Sequence, residues 1–348
     1  MQANTPIKPA ASAPRARSVQ LRPLFYMSAA AFVLVALIYG VWNTGQAPAT
    51  VLQVFATRFL GIFIEAVPFL LLGTITSGLI EAFIRPDDIV RFLPRNRVVA
   101  TIGGAFLGVV FPVCECGVVP VTRRLFTKGL PMSVGIAFLL AAPFMNPIVF
   151  ASTYIAFGFG EIFIGRFVIT AIVAISVALI FAIAAKPSEV LHPASLMDTD
   201  GANFAKPRLG WRMGMAQSLT IAADEFFEMG RFLILGCLMA AAMQTFVPQD
   251  TLLAVGSGPL TSVLVLQALA FILSICSTVD SFLALAFTGT FTTGAILAFL
   301  SFGPMVDVKS TMMFMGVFKR RTVLYLILLP FLMNLFIGVL INVNGGFF

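Results

Sequence analysis

The residues best suited to chemistry in this chain form a short run, Cys114-Glu115-Cys116-Gly117, set inside a long apolar stretch. Side chains at i and i+2 do not share a helix face, so the two thiols converge only where the backbone is broken or extended. Pro112, Gly117 and Pro120 supply breakers on both sides. A carboxylate between two thiols has no packing rationale, and an ionisable group in apolar sequence is costly enough to mark function. Thiolates favour soft partners: Cu(I), trivalent arsenic-like species or sulfur compounds. A second polar patch, Cys276-Ser277-Thr278-Val279-Asp280-Ser281, interrupts another apolar stretch. Cys237 follows Gly236 in an apolar helix and reads as packing, since a free cysteine behaves as a small buried hydrophobe.

Two further motifs share a logic. Pro143-Phe144-Met145-Asn146-Pro147 and Pro304-Met305-Val306-Asp307-Val308-Lys309 each place a polar residue three positions after a proline. Proline frees carbonyls inside a span, and such breaks expose backbone dipoles to a permeant species. Asp307 and Lys309 are placed either to neutralise each other or to alternate protonation during transport. Glu65 and Glu228, with Asp224 and Glu225 nearby, are further intramembrane carboxylates. Low dielectric favours the neutral, proton-carrying form of such an acid, which suits proton coupling; the competing reading pairs them with Arg58 and Arg231. The proton-coupling set is therefore Glu65, Glu228, Asp307 and Lys309. Met312, Met313 and Met315 read as apolar packing.

Other chemistries are excluded. The lone histidine, His192, removes catalytic Ser-His and Cys-His pairs and leaves a structural zinc site short of ligands. The phosphate-loop pattern G-x-x-x-x-G-K-[ST] is absent, so the chain carries no ATPase of that kind. Neither cofactor nor metal is expected.

These residues must be held by membrane segments. Hydrophobic residues make up 59% of the chain and charged ones 11%, where a soluble domain carries about 25% charged residues. The sequence therefore predicts an all-α polytopic membrane protein with the bilayer as its medium, and the net charge of +7 calls for no nucleic-acid partner. Residues 1–23 form a basic tail. The stretch 24–42 is a first transmembrane helix, longer than a signal-peptide core. Apolar segments follow at 51–84, 98–122, 130–157, 162–185, 213–247, 259–287, 294–317 and 322–343. The proline-rich linker 186–212 separates a first membrane repeat, 51–185, from a second, 213–343. Glu65 with Phe69 to Gly73 matches Glu228 with Phe232 to Gly236 at an offset of 163, and Ala137-Phe138-Leu139 with Pro143 matches Ala298-Phe299-Leu300 with Pro304 at 161. Repeats of this kind are a transporter signature.

Lys and Arg accumulate on the cytoplasmic side of membrane proteins. If 98–122 and 259–287 both cross completely, seven positive residues fall outside. If both are re-entrant hairpins, all five basic clusters, eighteen residues in all, fall inside, together with the N-terminus. The second half then enters from the opposite face. The expected architecture is two inverted repeats with re-entrant or broken helical hairpins, about 7 to 9 membrane segments in all. Hairpin tips entering from opposite faces would bring Cys114, Cys116 and Cys276 together with Glu115 and Asp280.

The runs C-E-C-G-V-V-P at Cys114 to Pro120, P-M-S-V-G-I-A-F-L-L-A-A-P-F-M-N-P-I at Pro131 to Ile148, and C-S-T-V-D-S-F at Cys276 to Phe282 resemble the predicted permeases that include bacterial organoarsenical efflux permeases. The resemblance covers residues 50–343. It implies an inner-membrane permease exporting trivalent arsenicals that contact cysteines, carried over onto Cys114, Cys116 and Cys276 alone. The reading is a secondary transporter, not an enzyme, of the bacterial cytoplasmic membrane, moving a small thiophilic solute. Its binding residues would be Cys114, Glu115, Cys116, Gly117, Pro143, Asn146, Pro147, Cys276, Ser277, Asp280, Pro304 and Asp307. Alternatives are a sulfur compound or soft metal ion as cargo, a membrane thiol oxidoreductase cycling Cys114 and Cys116, or a partner subunit without transport of its own. Assembly as a homo-oligomer is left open.

Overall fold

The computed structural model describes residues 31–35, 38, 47–84, 94, 96–110, 113–184, 190, 211–246 and 258–345. The basic tail, much of the 24–42 segment, most of the 186–212 linker with His192, and Phe111 and Pro112 lie outside these residues.

From Pro48 on, every element among the described residues is helical. The first half contains α1 (Pro48–Phe83), α2 (Arg97–Val110), α3 (Glu115–Thr127), α4 (Met132–Ala141), α5 (Pro147–Phe157) and α6 (Glu161–Ala184). The second contains α7 (Trp211–Phe246), α8 (Pro259–Leu273), α9 (Asp280–Leu285), α10 (Thr293–Phe302), α11 (Val308–Val317) and α12 (Arg320–Val343). Long and short helices recur in the same order: 36, 14, 13, 10, 11 and 24 residues, then 36, 15, 6, 10, 10 and 24.

Among the described residues, only α1, α6, α7 and α12 are long and apolar enough to cross a membrane unaided. A 24-residue helix spans about 36 Å against a hydrocarbon core of about 30 Å, whereas α2 reaches about 21 Å and ends inside it. The stretches 130–157 and 294–317, single segments by hydropathy, are each two half-helices interrupted at 142–146 and 303–307.

Packing fixes the direction of each piece. The Ser77 hydroxyl donates to the Pro120 carbonyl at 3.4 Å, and Glu81 meets the Lys128 ammonium at 3.0 Å. So α1 and α3 run in the same sense and end at one face. Gly104 of α2 abuts Val134 and Gly108 abuts Ala142, so α2 runs with α4. The turn closed by Leu130 N donating to Leu125 O at 3.0 Å sends α4 back along α3. Therefore α2 opposes α3, and the segment leaves on the side it entered. In the second half, Ser262 near the start of α8 lies 3.1 Å from Thr292 just before α10, hydroxyl to hydroxyl. The chain between them has returned to the level at which α8 began, so this segment is a hairpin too.

The halves are inverted. Arg58 donates to the Gln244 carbonyl, Gly78 abuts Ser218, and Phe83 packs on Trp211 with ring centroids 5.3 Å apart. The equivalent helices α1 and α7 are thus antiparallel. Phe126 near the end of α3 packs edge-on against Phe318 at 6.3 Å, which puts Lys319, Arg320 and Arg321 at the same face as Lys128 and Arg212. The basic clusters within the described residues share that face.

Candidate functional site

The half-helices α3, α5, α9 and α11 start where the two hairpin tips and the two breaks meet. Cys114 is the N-cap of α3. Asn146 caps α5, its side-chain oxygen accepting from Ile148 N at 3.0 Å, and Pro147 follows at the first helical position, where a missing N–H costs nothing. Asp307 caps α11 in a reciprocal box: its Oδ1 accepts from Ser310 N at 2.6 Å, and its own N–H donates to Ser310 Oγ at 2.9 Å. The polar residue three positions after each proline is therefore the N-cap of a restarting helix, a full break rather than a kink.

At the centre lies Lys309, 1% exposed. Its ammonium is 2.9 Å from Glu115 Oε1 and 3.6 Å from Asp307 Oδ2, and it donates to the Ser274 carbonyl at 3.1 Å. Ser274 is left-handed, with φ of 49°, and turns that carbonyl inward at the end of α8. Glu115 Oε2 and Asp307 Oδ2 have no hydrogen-bond partner among the described residues. The thiols surround this group. Cys116 lies within electrostatic reach of Cys114, Glu115 and Lys309, and Cys276 within reach of Glu115, Cys114 and Lys309. Glu65, half-buried on α1, lies within electrostatic reach of Lys309, Glu115 and Asp307. All four cysteines are free and buried.

A second buried pair adjoins the first. Arg166 of α6, fully buried, donates through Nη2 to Asp280 Oδ2 at 2.8 Å, to Asp280 Oδ1 at 3.0 Å and to the Ser277 carbonyl at 3.1 Å. Its Nη1 reaches Ser281 Oγ at 2.6 Å and Thr153 Oγ1 at 3.0 Å, and the guanidinium sits over Phe144 at 5.6 Å.

Cys114, Glu115, Cys116, Cys276 and Asp307 thus share one buried centre, and Asp280 is turned to Arg166 beside it. Ser277 donates to the Pro143 carbonyl at 3.2 Å, joining the second hairpin to the first break. Gly117 has a structural part: it touches Gly73 so closely that a Cβ on Gly73 would lie 2.4 Å from Gly117 Cα. Pro304 is buried in the second break, whereas Pro147 is exposed on the outer side of α5. Glu228 is away from the centre, paired with Arg123 at 3.0 Å toward the basic face, so the two repeat-equivalent glutamates have different surroundings. Neither arginine pairing of the competing reading forms among the described residues. Arg58 serves the end of α7, and Arg231 Nε donates to the backbone carbonyl of Glu228 at 3.2 Å. Asp224 is exposed, and Glu225 lies 3.8 Å from Arg124.

Sequence reasoning missed three groups. Arg166 carried a usable signal, as the one cation inside the apolar run of α6. Cys237, read as packing, lies within electrostatic reach of Lys309 and Asp307, because Gly236 lets α7 close onto the Lys309 backbone. The Ser274 carbonyl had no sequence signal. Among the described residues no cluster of three or more His, Cys, Asp or Glu is arranged to hold a metal ion.

A family model described as "Predicted permease" (ArsP_1) matches residues 51–343. The chain is 45% identical over 272 residues to "UPF0718 protein YcgR" of Bacillus subtilis (strain 168), covering 77% of this chain and 90% of that one. It is 40% identical over 278 residues to a "Putative two-component membrane permease complex subunit" of Streptococcus mutans, covering 80% and 91%. No solved structure matches it. A polytopic helical bundle matched along both of its repeats by this family model places the chain in the predicted-permease family.

Proposed function

We propose that this permease is a secondary transporter of the bacterial cytoplasmic membrane that exports a small thiophilic solute, a trivalent organoarsenical, in exchange for protons. The observation that carries the reading is the convergence of Cys114, Cys116 and Cys276, from two hairpins entering from opposite faces, on one buried centre. Inverted repeats with broken helices hold their substrates at such a junction. A monosubstituted arsenical bearing two hydroxyls would exchange them for two thiols: two As–O bonds break, two As–S bonds form, and the thiol protons leave with the hydroxyls as two waters. Glu65, within electrostatic reach of Lys309, Glu115 and Asp307, would manage one such proton. Asp307 and Lys309 would carry the coupling proton at the centre, and Glu228 stands between the centre and the basic face.

The common face of the described basic clusters supports a cytoplasmic assignment for it by the positive-inside rule, and with it a cytoplasmic N-terminus. Burial of Cys114 and Cys116 speaks against a thiol oxidoreductase, whose pair must meet a partner protein. The name of the Streptococcus mutans relative supports a second component working beside this chain.

The test is retention of trivalent methylarsenical by cells lacking other arsenical exporters. Cells making the wild type should retain less than cells with the empty vector, and Cys114→Ser/Cys116→Ser should abolish the difference. Undiminished export by that variant would remove the thiols from the mechanism.

A further inference from the structure

The two buried acid–base pairs are counterparts. Glu115 is the first residue of α3, the returning arm of the first hairpin, and Asp280 is the first residue of α9, the returning arm of the second. Each acid is held by a base from the opposite half: Glu115 by Lys309, Asp280 by Arg166. Both pairs cross the repeat interface, and all four side chains are at most 3% exposed. They differ in reinforcement. Beyond Glu115, α3 is also tied toward the basic face by Arg123–Glu228 at 3.0 Å, Lys128–Glu81 at 3.0 Å and Arg124–Glu225 at 3.8 Å. Among the described residues the returning arm of the second hairpin has one ion pair, Arg166–Asp280, at its inner end.

We propose that Arg166–Asp280 is a proton-released latch that closes the second hairpin over the thiol centre on the face opposite the basic clusters. The proposal rests on the transporter reading above and assigns Arg166 a positioning role. The groups around Asp280 are few: Arg166 and the Thr153 hydroxyl, Ser281, and Glu115 across the centre. The helix α10, packed against α9, carries no titratable residue. A proton on Asp280 removes its charge, leaves Arg166 with hydroxyl and carbonyl partners only, and loosens the attachment of the hairpin to the first half. The exchange is local and balanced: the proton enters from the medium that the hairpin faces and is returned when the ion pair re-forms.

The test uses a full-length chain in which Cys114, Cys116 and Cys237 are serine, leaving Cys276. An impermeant maleimide is applied to right-side-out and to everted membranes. Asp280→Asn, which mimics the protonated acid, should raise labelling of Cys276 by about tenfold from the face opposite the basic clusters and leave the basic face unchanged, as expected for a shifted two-state gate. The double variant Arg166→Gln/Asp280→Asn removes both charges, avoids an unpaired guanidinium, and should label like the single. If the single variant folds poorly, the ratio of labelling between the two faces is followed against pH in the Asp280 parent. That ratio cancels the intrinsic reactivity of the thiol and should rise on acidification. Labelling that is unchanged by either variant, that rises on the basic face, or that shows a flat pH ratio overturns the latch. No solute is used, so a failed latch leaves transport standing, and a failed transport assay leaves the labelling result intact.

Discussion

Replacing Lys309 by Met keeps an unbranched apolar stem and deletes the ammonium that lies 2.9 Å from Glu115 and 3.6 Å from Asp307. Two buried carboxylates then face each other with no cation between them. Leaving a buried charge uncompensated costs roughly 3–5 kcal/mol. Taking protons relieves part of this cost, so the lower half of that range applies. At roughly 2.1 cal/mol/K per residue a chain of 348 residues loses about 1.4 °C of melting temperature per kcal/mol, so the variant should melt about 4–6 °C lower in detergent. The companion Lys309→Met/Glu115→Gln removes both charges of the shorter pair. It should recover about 2 kcal/mol relative to the sum of the single changes, within the range measured for directly interacting residues. Melting curves of the wild type, both singles and the double complete the cycle. A Lys309→Met protein as stable as the wild type, or a double variant no better than additive, would refute the buried pair.

Three other outcomes follow from the geometry. Asn146→Ala deletes the cap of α5 and should cost about 0.5–2 kcal/mol, whereas Asn146→Asp, another good cap, should keep most of it; thermal melting compares them. Gly73→Ala places a Cβ 2.4 Å from Gly117 Cα and must push α1 off α3; overpacking of this kind costs roughly 1–3 kcal/mol, read as a lower melting temperature and yield. Single cysteines introduced at Lys128 and at Lys319 should be labelled by an impermeant reagent from the same face, and labelling from opposite faces would break both the hairpin and the inverted repeat.

Much of the architecture was legible because apolar length, basic clusters and the repeat offset report on the bilayer directly. Counting Arg123, Arg124, Lys128 and the basic residues of the linker turned the first thiol segment into a hairpin, and Glu81–Lys128 shows the same geometry from contacts. The repeat offset was less exact at the tips. An offset of 161 sets Cys276 against Glu115, yet the residues that begin the returning arms are Glu115 and Asp280, because the second tip holds additional turn residues before α9. Hydropathy also missed the breaks at 142–146 and 303–307, since Phe144, Met145, Met305 and Val306 are as apolar as the helices they interrupt. Ion-pair partners were least legible. The reading of Glu228 with Arg231 relied on nearness in sequence, while its actual partner, Arg123, comes from α3.

The central claim is that the buried thiols carry the solute. Its most direct test is accumulation of trivalent methylarsenical by everted membrane vesicles under an imposed proton gradient, comparing wild type with Cys114→Ser/Cys116→Ser and with Cys276→Ser. The account predicts gradient-dependent accumulation by the wild type and its loss in both variants at unchanged protein levels. Equal accumulation by all three, or by none of them across a panel of arsenicals, sulfur compounds and soft metal ions, would contradict it.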